Sequence, residues 1–207
     1  MILNDIEIRN RIVTPEKYEM DYPLVSPFSE EQLQGASYDV TINDEIIYVS
    51  SSSDVVDIKN QDSINSVYKK EHIPTGGFLL MPHCYVLLTL QETLYIPKDL
   101  TAHIRPKTRF IRLGLLLSNQ HINPDSICKL NIGAYNMTQN PIRLYAGISI
   151  GQIVFEEMKG FPSDEKLYKT KADAHYSQDI EFVGAKFEDE FADFINEQVD
   201  HLLEVGN

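Results

Sequence analysis

Between residues 36 and 156 the sequence consists of short runs of β-branched, aliphatic and aromatic residues separated by turn signals. Val, Ile, Thr and Tyr are typical of strands, and Gly, Pro, Asn and Asp between the runs are typical of turns. Even spacing of short strands favours a barrel, sandwich or jelly roll over a βαβ fold. The predicted strands are Ser37–Ile42, Glu45–Tyr48, Phe78–Leu80, Tyr85–Leu90, Ala102–Ile104, Lys129–Tyr135, Ile142–Leu144 and Gln152–Phe155.

The region before and within these strands contains three other patterns. Residues 3–12 predict a short helix with Asn4 or Asp5 as its N-cap. Residues 13–34 contain three prolines and predict a connecting loop. Residues 50–66 are rich in serine and aspartate, and they predict an exposed excursion from the β domain.

The composition changes after Gly160. Residues 161–186 are polar without an alternating apolar pattern, which predicts an extended arm. Apolar residues then recur at three- and four-residue steps over 187–205, which predicts an amphipathic helix that packs on its own subunit rather than on a neighbour. We therefore predict a β domain over residues 1–160 and a C-terminal arm and helix over residues 161–207.

Composition argues against several classes of protein. No apolar run approaches the length of a membrane span, and the first residues lack the basic and apolar regions of a signal peptide. A net charge of −13 argues against general nucleic-acid binding, which needs a broad basic surface. Cys84 and Cys128 lack disulfide or metal-site spacing and are predicted to be buried small hydrophobes. We expect a cytoplasmic protein without membrane or nucleic-acid partners.

The basic residues Arg105, Lys107, Arg109 and Arg112 lie within eight positions of this acidic chain. An acidic protein repels polyanions at long range, so this cluster indicates one small, highly charged anion bound locally. If residues 105–109 are extended, the first three of these side chains share a face, because side chains alternate along a strand. A solvated basic edge strand paired with acidic neighbours is the alternative.

Several segments, taken in their order along the chain, resemble a known family. They are Ile2–Ile8, Glu31–Val40, Leu90–Pro97, Arg112–Leu115, Tyr145–Phe155 and Tyr168–Gly184. Over residues 1–186 the chain resembles the dCTP deaminase branch of the dUTPase superfamily. No single segment is decisive, and the collinear order of the segments carries the resemblance.

The resemblance implies a dUTPase-like β-barrel or jelly-roll subunit that assembles as a homotrimer with active sites between subunits. It also implies a bound deoxynucleoside triphosphate with Mg²⁺, and a C-terminal arm that closes over the nucleotide. In such a trimer a basic motif need not find its partners within its own subunit. In the arm, Tyr168, Tyr176 and Gln178 match the family residue types, and His175 stands where the family has a phosphate-binding lysine.

The central motif of family deaminases, Gly-Arg-Ser-Ser-Leu-Ala-Arg, aligns with Pro106–Arg112. Lys107 replaces an arginine that grips phosphate, and Thr108 keeps the hydroxyl of the first serine. Arg109 adds a charge at the second serine, and Arg112 matches the arginine next to the base. Cationic donors and a hydroxyl suit a triphosphate, so the resemblance implies that these residues, with the neighbouring Arg105, bind nucleotide.

The catalytic positions depart from the family pattern. The family's general base is a glutamate that activates water without zinc, and it aligns with Gly133, which has no side chain to carry a proton. The aspartate that orients water in dUTPases aligns with Asn123, whose amide can contact nucleotide but cannot act as a base. Candidate replacements for the base are His121, Asp125, Glu156 and Glu157.

His121 has two interpretations, a relocated general base or a loop histidine held by hydrogen bonds, of which the second is favoured. His83 and His103 have no motif around them and are predicted to be structural. The spacing of His, Cys and carboxylate residues does not match zinc deaminases, so no zinc is expected. The predicted catalytic set is Thr108, Arg112, His121 and Asp125.

Three functional hypotheses remain open. The first is an enzyme that deaminates dCTP or hydrolyses dUTP to dUMP and pyrophosphate with unusual catalytic residues. The second is a nucleotide-binding regulator that keeps the triphosphate site and has lost the usual base. The third is a structural trimer whose basic motif forms inter-subunit ion pairs, and the resemblance in the arm and the basic motif favours the first two.

Overall fold

The structure is a computed structural model that describes residues 1–50, 55–167 and 181–187. Two compact units divide the chain. The first unit comprises residues 1–48 and 70–182, and the second comprises residues 49–69 and 183–207, each to the extent that its residues are described.

The described part of the chain forms twelve strands and three α-helices. The strands are β1 (Val25–Ser26), β2 (Leu33–Gln34), β3 (Ser37–Val49), β4 (Tyr68–His72), β5 (Phe78–Leu80), β6 (Tyr85–Ile96), β7 (Leu100–Pro106), β8 (Leu115–Leu117), β9 (Gln120–Ile122), β10 (Ser126–Asn136), β11 (Ile142–Leu144) and β12 (Ser149–Glu157). The helices are α1 (Asp5–Val13), α2 (Gln61–Ser66) and α3 (Thr108–Leu113).

Most strands belong to one large sheet with the order β8-β10-β6-β3-β12-β7-β9. β1 joins it through β6, whereas β2 and β4 join it through β3. β5 and β11 form a separate antiparallel pair. The large sheet curls into a half-barrel, so the prediction of a mainly β fold with a short N-terminal helix is confirmed.

Alternation along the strands separates a buried face from a polar one. On β12, Ile153 and Phe155 are fully buried, and their cross-strand partners on β7 are Ile104 and Ala102. Because side chains alternate along a strand, the residues between them project from the opposite face of the sheet. The apolar core of the first unit therefore leaves polar side chains of β7 and β12 available on that other face.

The predicted N-terminal helix is confirmed, with Asn4 as its N-cap. The Asn4 side-chain oxygen accepts a hydrogen bond from the Glu7 backbone N–H at 2.9 Å, which satisfies one free donor of the first turn. Arg11 is buried, pairs with the Asp99 carboxylate at 2.6 Å, and lies over the Tyr18 ring. These contacts offset part of the cost of burying this cation, whose Nε–H forms no hydrogen bond among the described residues.

The predicted strands are largely confirmed. Phe78–Leu80 and Ile142–Leu144 have the predicted bounds and pair with each other. The two runs predicted at 37–42 and 45–48 form one continuous strand, β3, whose pairing with β6 shifts register between Ile42 and Ile46. An irregularity within a continuous ladder interrupts the alternation of side chains, which is why the sequence pattern divides this strand.

Two helices were not anticipated. The strand through Arg105 ends at Pro106, and α3 begins at Thr108, so the extended conformation considered for residues 105–109 is wrong beyond Lys107. Arg109 therefore lies on a helix and not on the strand face of Arg105. The other helix, α2, lies within the predicted excursion at 50–66.

In the second unit, α2 is capped by Asn60, whose side-chain oxygen accepts hydrogen bonds from the N–H groups of Asp62 and Ser63. Ile64 is buried, and the Gln61 amide donates to the Ala185 carbonyl oxygen at 3.0 Å. The helix predicted over 187–205 falls, apart from its first residue, outside the described residues. No helix among the described residues combines the length and the apolar character needed to span a bilayer.

The two cysteines differ in environment. Cys128 is buried as predicted, and burial raises the pKa of its thiol to about 12. Cys84 is exposed, so the prediction that it is buried is wrong. Cys84 immediately precedes β6 and follows the Met81–His83 turn, which places its side chain at the surface.

We expect a maleimide to label Cys84 and to leave Cys128 unmodified in the folded protein at pH 8. The raised pKa keeps the Cys128 thiol protonated at that pH, and the thiolate is the reactive form. Intact-mass measurement should show one adduct in buffer and two in denaturant. Replacing Cys84 by serine should abolish the native adduct, and a native adduct on Cys128 would contradict the description of its burial.

Candidate nucleotide-binding site

A pocket of about 320 Å³ lies on the first unit where β7 ends and α3 begins. Strands β2, β3 and β12 complete its walls. Two of the predicted nucleotide-binding residues, Lys107 and Thr108, line it. The full lining is Gln34, Asp39, Pro106, Lys107, Thr108 and Gln152.

Cross-strand pairing brings three of the polar residues at the pocket into one row. Gln152 on β12 lies opposite Asp39 on β3 and, on its other side, opposite Arg105 on β7. Directly opposed residues of antiparallel strands project from the same face. The row therefore presents a carboxylate, an amide and a guanidinium beside the start of α3.

Lys107 is the cation that lines this pocket. Its ammonium group pairs with the Asp39 carboxylate at 2.5 Å, and its backbone N–H donates to the Ile150 carbonyl oxygen at 3.0 Å. The Asp39 carboxylate also accepts a hydrogen bond from the Gln34 amide at 3.4 Å. Both charges of the pair are largely shielded from solvent, so an anion that enters the pocket must compete with Asp39 for Lys107.

The other basic residues of the cluster have separate roles. The Arg109 guanidinium donates to the Ser149 carbonyl oxygen at 2.5 Å, which ties α3 to the start of β12. Arg105 and Arg112 are both exposed, and neither forms an ion pair within the described part of the chain. The predicted basic cluster therefore contains one paired cation, one cation bound to the backbone and two solvated cations.

Gly114 fixes where α3 ends and therefore where Arg112 lies. Its φ of 86° is in the left-handed region, and its N–H donates to the Ile111 carbonyl oxygen. A Cβ at this position would meet the Thr138 Cγ2 atom at 2.3 Å. Both the backbone conformation and the close approach require glycine here.

Farther along the same sheet face, His121 and His103 lie opposite each other on β9 and β7. The His121 Nδ1 atom is 2.9 Å from the His103 Nε2 atom. The His103 Nδ1 atom is 3.4 Å from the Glu156 Oε1 atom on β12. His121 is therefore a strand residue joined to a second histidine, and the prediction of a loop position is wrong.

The predicted residues Asn123 and Asp125 lie in the turn between β9 and β10. Ile122 lies opposite Ala102, so this turn is near the end of β7 that is remote from Lys107, about 16 Å away at 3.3 Å per residue. The Asp125 charge contributes, after burial and Asp21, to raising the pKa of Tyr95. Asn123 and Asp125 therefore do not line the pocket.

Gly133 lies beneath an aromatic side chain. A Cβ built on Gly133 would be 2.5 Å from the Tyr85 hydroxyl oxygen and 2.9 Å from the Tyr85 Cε2 atom. Tyr85 on β6 lies opposite Tyr135 on β10, which makes it a diagonal neighbour of Gly133. The Tyr85 ring therefore occupies the space that any side chain at position 133 would enter.

Gly133→Ala is expected to lower the free energy of unfolding by about 1–2 kcal/mol, because the added methyl group must displace the Tyr85 ring. The measurement is urea denaturation of the two single variants and of the Gly133→Ala/Tyr85→Ala double variant. In the double variant the methyl group has free space. The decrease in the free energy of unfolding should therefore be smaller than the sum of the decreases in the two single variants. Full additivity would show that the two residues are not in contact.

Sequence reasoning missed several of the residues that form this face. The sequence pattern assigns no role to Gln34, Asp39 or Gln152, although all three lie in segments that carry the family resemblance. His103 was assigned a structural role without a partner. The predicted arm residues Tyr168, His175, Tyr176 and Gln178 lie outside the described residues.

The polar groups of the pocket suit a phosphate chain better than a bare metal ion. Within the described ranges, no group of three or more His, Cys, Asp or Glu side chains is placed to hold a metal. Asp39, the pocket carboxylate, is already paired with Lys107. Mg²⁺ commonly binds through substrate phosphates and few protein carboxylates, so these residues fit a magnesium ion carried by the phosphates.

Comparison with known proteins identifies similar sequences and a similar fold. The family model described as dCTP deaminase-like matches residues 2–158. A dUMP-forming dCTP deaminase of Persephonella marina is 29% identical over 160 residues, which cover 77% of this chain and 85% of that protein. A dUMP-forming dCTP deaminase of Sulfurihydrogenibium sp. is 30% identical over 173 residues, which cover 83% of this chain and 91% of that protein.

One solved structure is similar over most of this chain. The 2'-deoxycytidine 5'-triphosphate deaminase from Agrobacterium tumefaciens gives a TM-score of 0.59 at 21% identity and covers 76% of this chain. The match covers 48% of that deaminase, so this chain spans about half its length. The likeness establishes a common fold.

Proposed function

The chain belongs to the dCTP deaminase-like family, and from that premise we propose that it binds and processes a pyrimidine deoxynucleoside triphosphate. The reactions are deamination of dCTP, which consumes water and releases ammonia, and hydrolysis of dUTP to dUMP and pyrophosphate. The dUMP-forming deaminases to which the chain is similar support this assignment. The main observation in its favour is the pocket that contains Lys107 and Thr108.

The pocket chemistry supports a triphosphate as the ligand. An ammonium group and a hydroxyl line it, and the Arg105 guanidinium is directly opposite its Gln152. Charge-assisted hydrogen bonds from such groups favour phosphate oxygens. In a chain with a net charge of −13, this local set of cations favours a small anion over an extended one. Mg²⁺ bound to the phosphates would neutralise part of the ligand's charge.

The proposed assembly is a homotrimer whose sites lie between subunits. Its support is that Gly133, Asn123 and Asp125, which the family alignment assigns to the active site, do not line the pocket of one chain. A cyclic arrangement can bring residues of neighbouring chains together. The proposed location is the cytoplasm, where reducing conditions keep an exposed thiol such as Cys84 free.

A nucleotide-binding regulator is the second candidate function. The observation that favours it is the glycine at position 133, which carries no general base, with the Tyr85 ring in the space that a side chain there would enter. In this alternative the pocket keeps its affinity for the triphosphate and the chain releases no product.

The decisive experiment is to incubate the full chain and Mg²⁺ separately with dCTP, dUTP and each of the other deoxynucleoside triphosphates. Ammonia, pyrophosphate and thermal stabilisation are followed together, because a ligand that binds only the folded state raises its apparent stability. Release of ammonia or pyrophosphate from dCTP or dUTP supports the enzyme. Stabilisation without product supports the regulator, and the absence of any response to these nucleotides refutes both.

A further inference from the structure

We propose that His121 is the group that exchanges a proton with the substrate, and that His103 and Glu156 are positioning residues that fix its tautomer. This inference rests on the proposed function and assigns a base to the same site. Three adjacent strands supply the three residues: β9 supplies His121, β7 supplies His103 and β12 supplies Glu156.

The three side chains contact one another in series on the polar face of the sheet. The ring centroids of the two histidines are 4.8 Å apart, and the His121 Nδ1 and His103 Nε2 atoms are 2.9 Å apart. The next contact is 3.4 Å, from the His103 Nδ1 atom to the Glu156 Oε1 atom. His121 is exposed, whereas His103 is partly buried between its neighbours.

The surroundings of the His103 Nδ1 atom determine which ring nitrogen of His103 carries the proton. This atom is buried and forms no hydrogen bond among the described residues, and the Glu156 Oε1 atom faces it at 3.4 Å. A carboxylate repels a lone pair on this nitrogen and attracts an N–H. His103 therefore carries its proton on Nδ1 and directs that proton towards Glu156.

The tautomer of His103 then sets that of His121. With a proton on its Nδ1, neutral His103 can only accept at Nε2. The His121 Nδ1 atom must consequently donate to it, which leaves the lone pair of His121 on Nε2. That atom is 3.5 Å from the Thr101 hydroxyl oxygen, which is also 2.9 Å from the Ile122 carbonyl oxygen, so the single hydroxyl proton can be donated to either acceptor. In the neutral pair, the His121 Nε2 atom therefore carries no proton and can accept one.

Such an arrangement provides a general base without a carboxylate at position 133. When water attacks C4 of the cytosine ring of dCTP, a C–O bond forms, one O–H bond of water breaks, and its proton moves to the His121 Nε2 atom. The resulting imidazolium keeps its Nδ1–H hydrogen bond to His103, and the Glu156 carboxylate stabilises the added charge through His103. The Nε2 proton passes to ring N3, and the remaining hydroxyl proton then passes through Nε2 to the amine as the C4–N bond breaks. dCTP and water thereby yield dUTP and ammonia, and His121 is neutral again.

The position of His121 relative to the pocket is compatible with this role. His103, its partner, is four residues from Lys107, or about 13 Å along the strand direction. This separation is comparable with the length of an extended nucleoside triphosphate. The charged groups that face the pair are Glu156 on β12 and, one row along β7, Arg105, while β9 contributes no other charged residue.

The test is the tautomer of each histidine, read from long-range ¹H–¹⁵N correlation spectra of the full chain. We expect His121 and His103 both to be protonated at Nδ1, whereas solvated imidazole favours Nε2. His103→Leu should return His121 to the Nε2–H form, and Glu156→Ala should do the same for His103. Glu157→Ala is the matched control: Glu157 is adjacent in sequence on the opposite face, so both tautomers should persist.

An Nε2–H tautomer of His121 in the unsubstituted chain would overturn the proposal, as would its persistence unchanged in a folded His103→Leu variant. The second readout is product release: His121→Ala should abolish it while the nucleotide still stabilises the variant. Glu156→Ala should lower the rate and alter its pH profile, with little change in KM. A chain that binds dCTP and dUTP without product overturns the catalytic role of His121 and leaves the triphosphate site standing.

Discussion

Lys107→Ala is expected to weaken the binding of dCTP or dUTP by about 5- to 150-fold, which corresponds to about 1–3 kcal/mol for the loss of a charge-assisted contact. The ammonium group of Lys107 is the one cation that lines the pocket as described. Isothermal titration with Mg²⁺ and each nucleotide gives the affinity directly. Arg112→Ala is expected to have an effect of the same size if the exposed guanidinium at the end of α3 contacts the nucleotide.

Two further variants show whether the effect belongs to the cation. Asp39→Asn removes the ion pair and keeps Lys107, so affinity should not fall, because the carboxylate competes with phosphate for the ammonium group. Lys98→Ala removes an exposed cation outside the pocket and should leave affinity unchanged. Equal losses in Lys107→Ala and Asp39→Asn would assign the effect to the ion pair. Unchanged affinity in both Lys107→Ala and Arg112→Ala would remove the nucleotide-site proposal.

Asn136→Ala is expected to lower the free energy of unfolding by about 2–4 kcal/mol, because it leaves buried polar groups without partners. The Asn136 side chain is fully buried at the end of β10. Its amide donates to the carbonyl oxygens of Leu80 and Asn140 at 3.0 and 2.9 Å. Its oxygen accepts from the Thr138 backbone N–H and hydroxyl, each at 2.9 Å.

Chemical denaturation of two comparison variants tests this explanation. Asn136→Asp keeps the shape and places a second oxygen against the two carbonyl oxygens, so it should destabilise at least as strongly as alanine. Asn140 contributes to this network through its backbone, and its side chain is exposed. Asn140→Ala should therefore change the free energy of unfolding by no more than about 0.5 kcal/mol. A small effect of Asn136→Ala would mean that water replaces the lost contacts.

The sequence predicted the strands well because their pattern is local. Phe78–Leu80 and Ile142–Leu144 were predicted with their observed bounds, since each is a short apolar run between turn residues. The start of α3 was not predicted, because Pro106 and Gly114 enclose only a six-residue helix with a mixed pattern. A helix of that length is determined by its flanking turns and packing more than by its own propensity.

The candidate site was only partly predictable, because cross-strand rows depend on register. Lys107 and Thr108 were recognised from their motif, whereas Asp39 and Gln152 become neighbours only when β3 pairs with β12. Similarly, His103 and His121 become neighbours only through the pairing of β7 with β9. A sequence shows which residues can share a face, but not which residues of a distant strand lie opposite them.

The contact between Tyr85 and Gly133 couples what the two positions can contain. With the Tyr85 ring in its present position, a side chain introduced at 133 meets the ring. Tyr85 is 45% exposed, so a larger residue at 133 requires either that the ring turns towards solvent or that residue 85 becomes smaller. A carboxylate introduced at position 133 therefore alters two side chains, its own and that of residue 85.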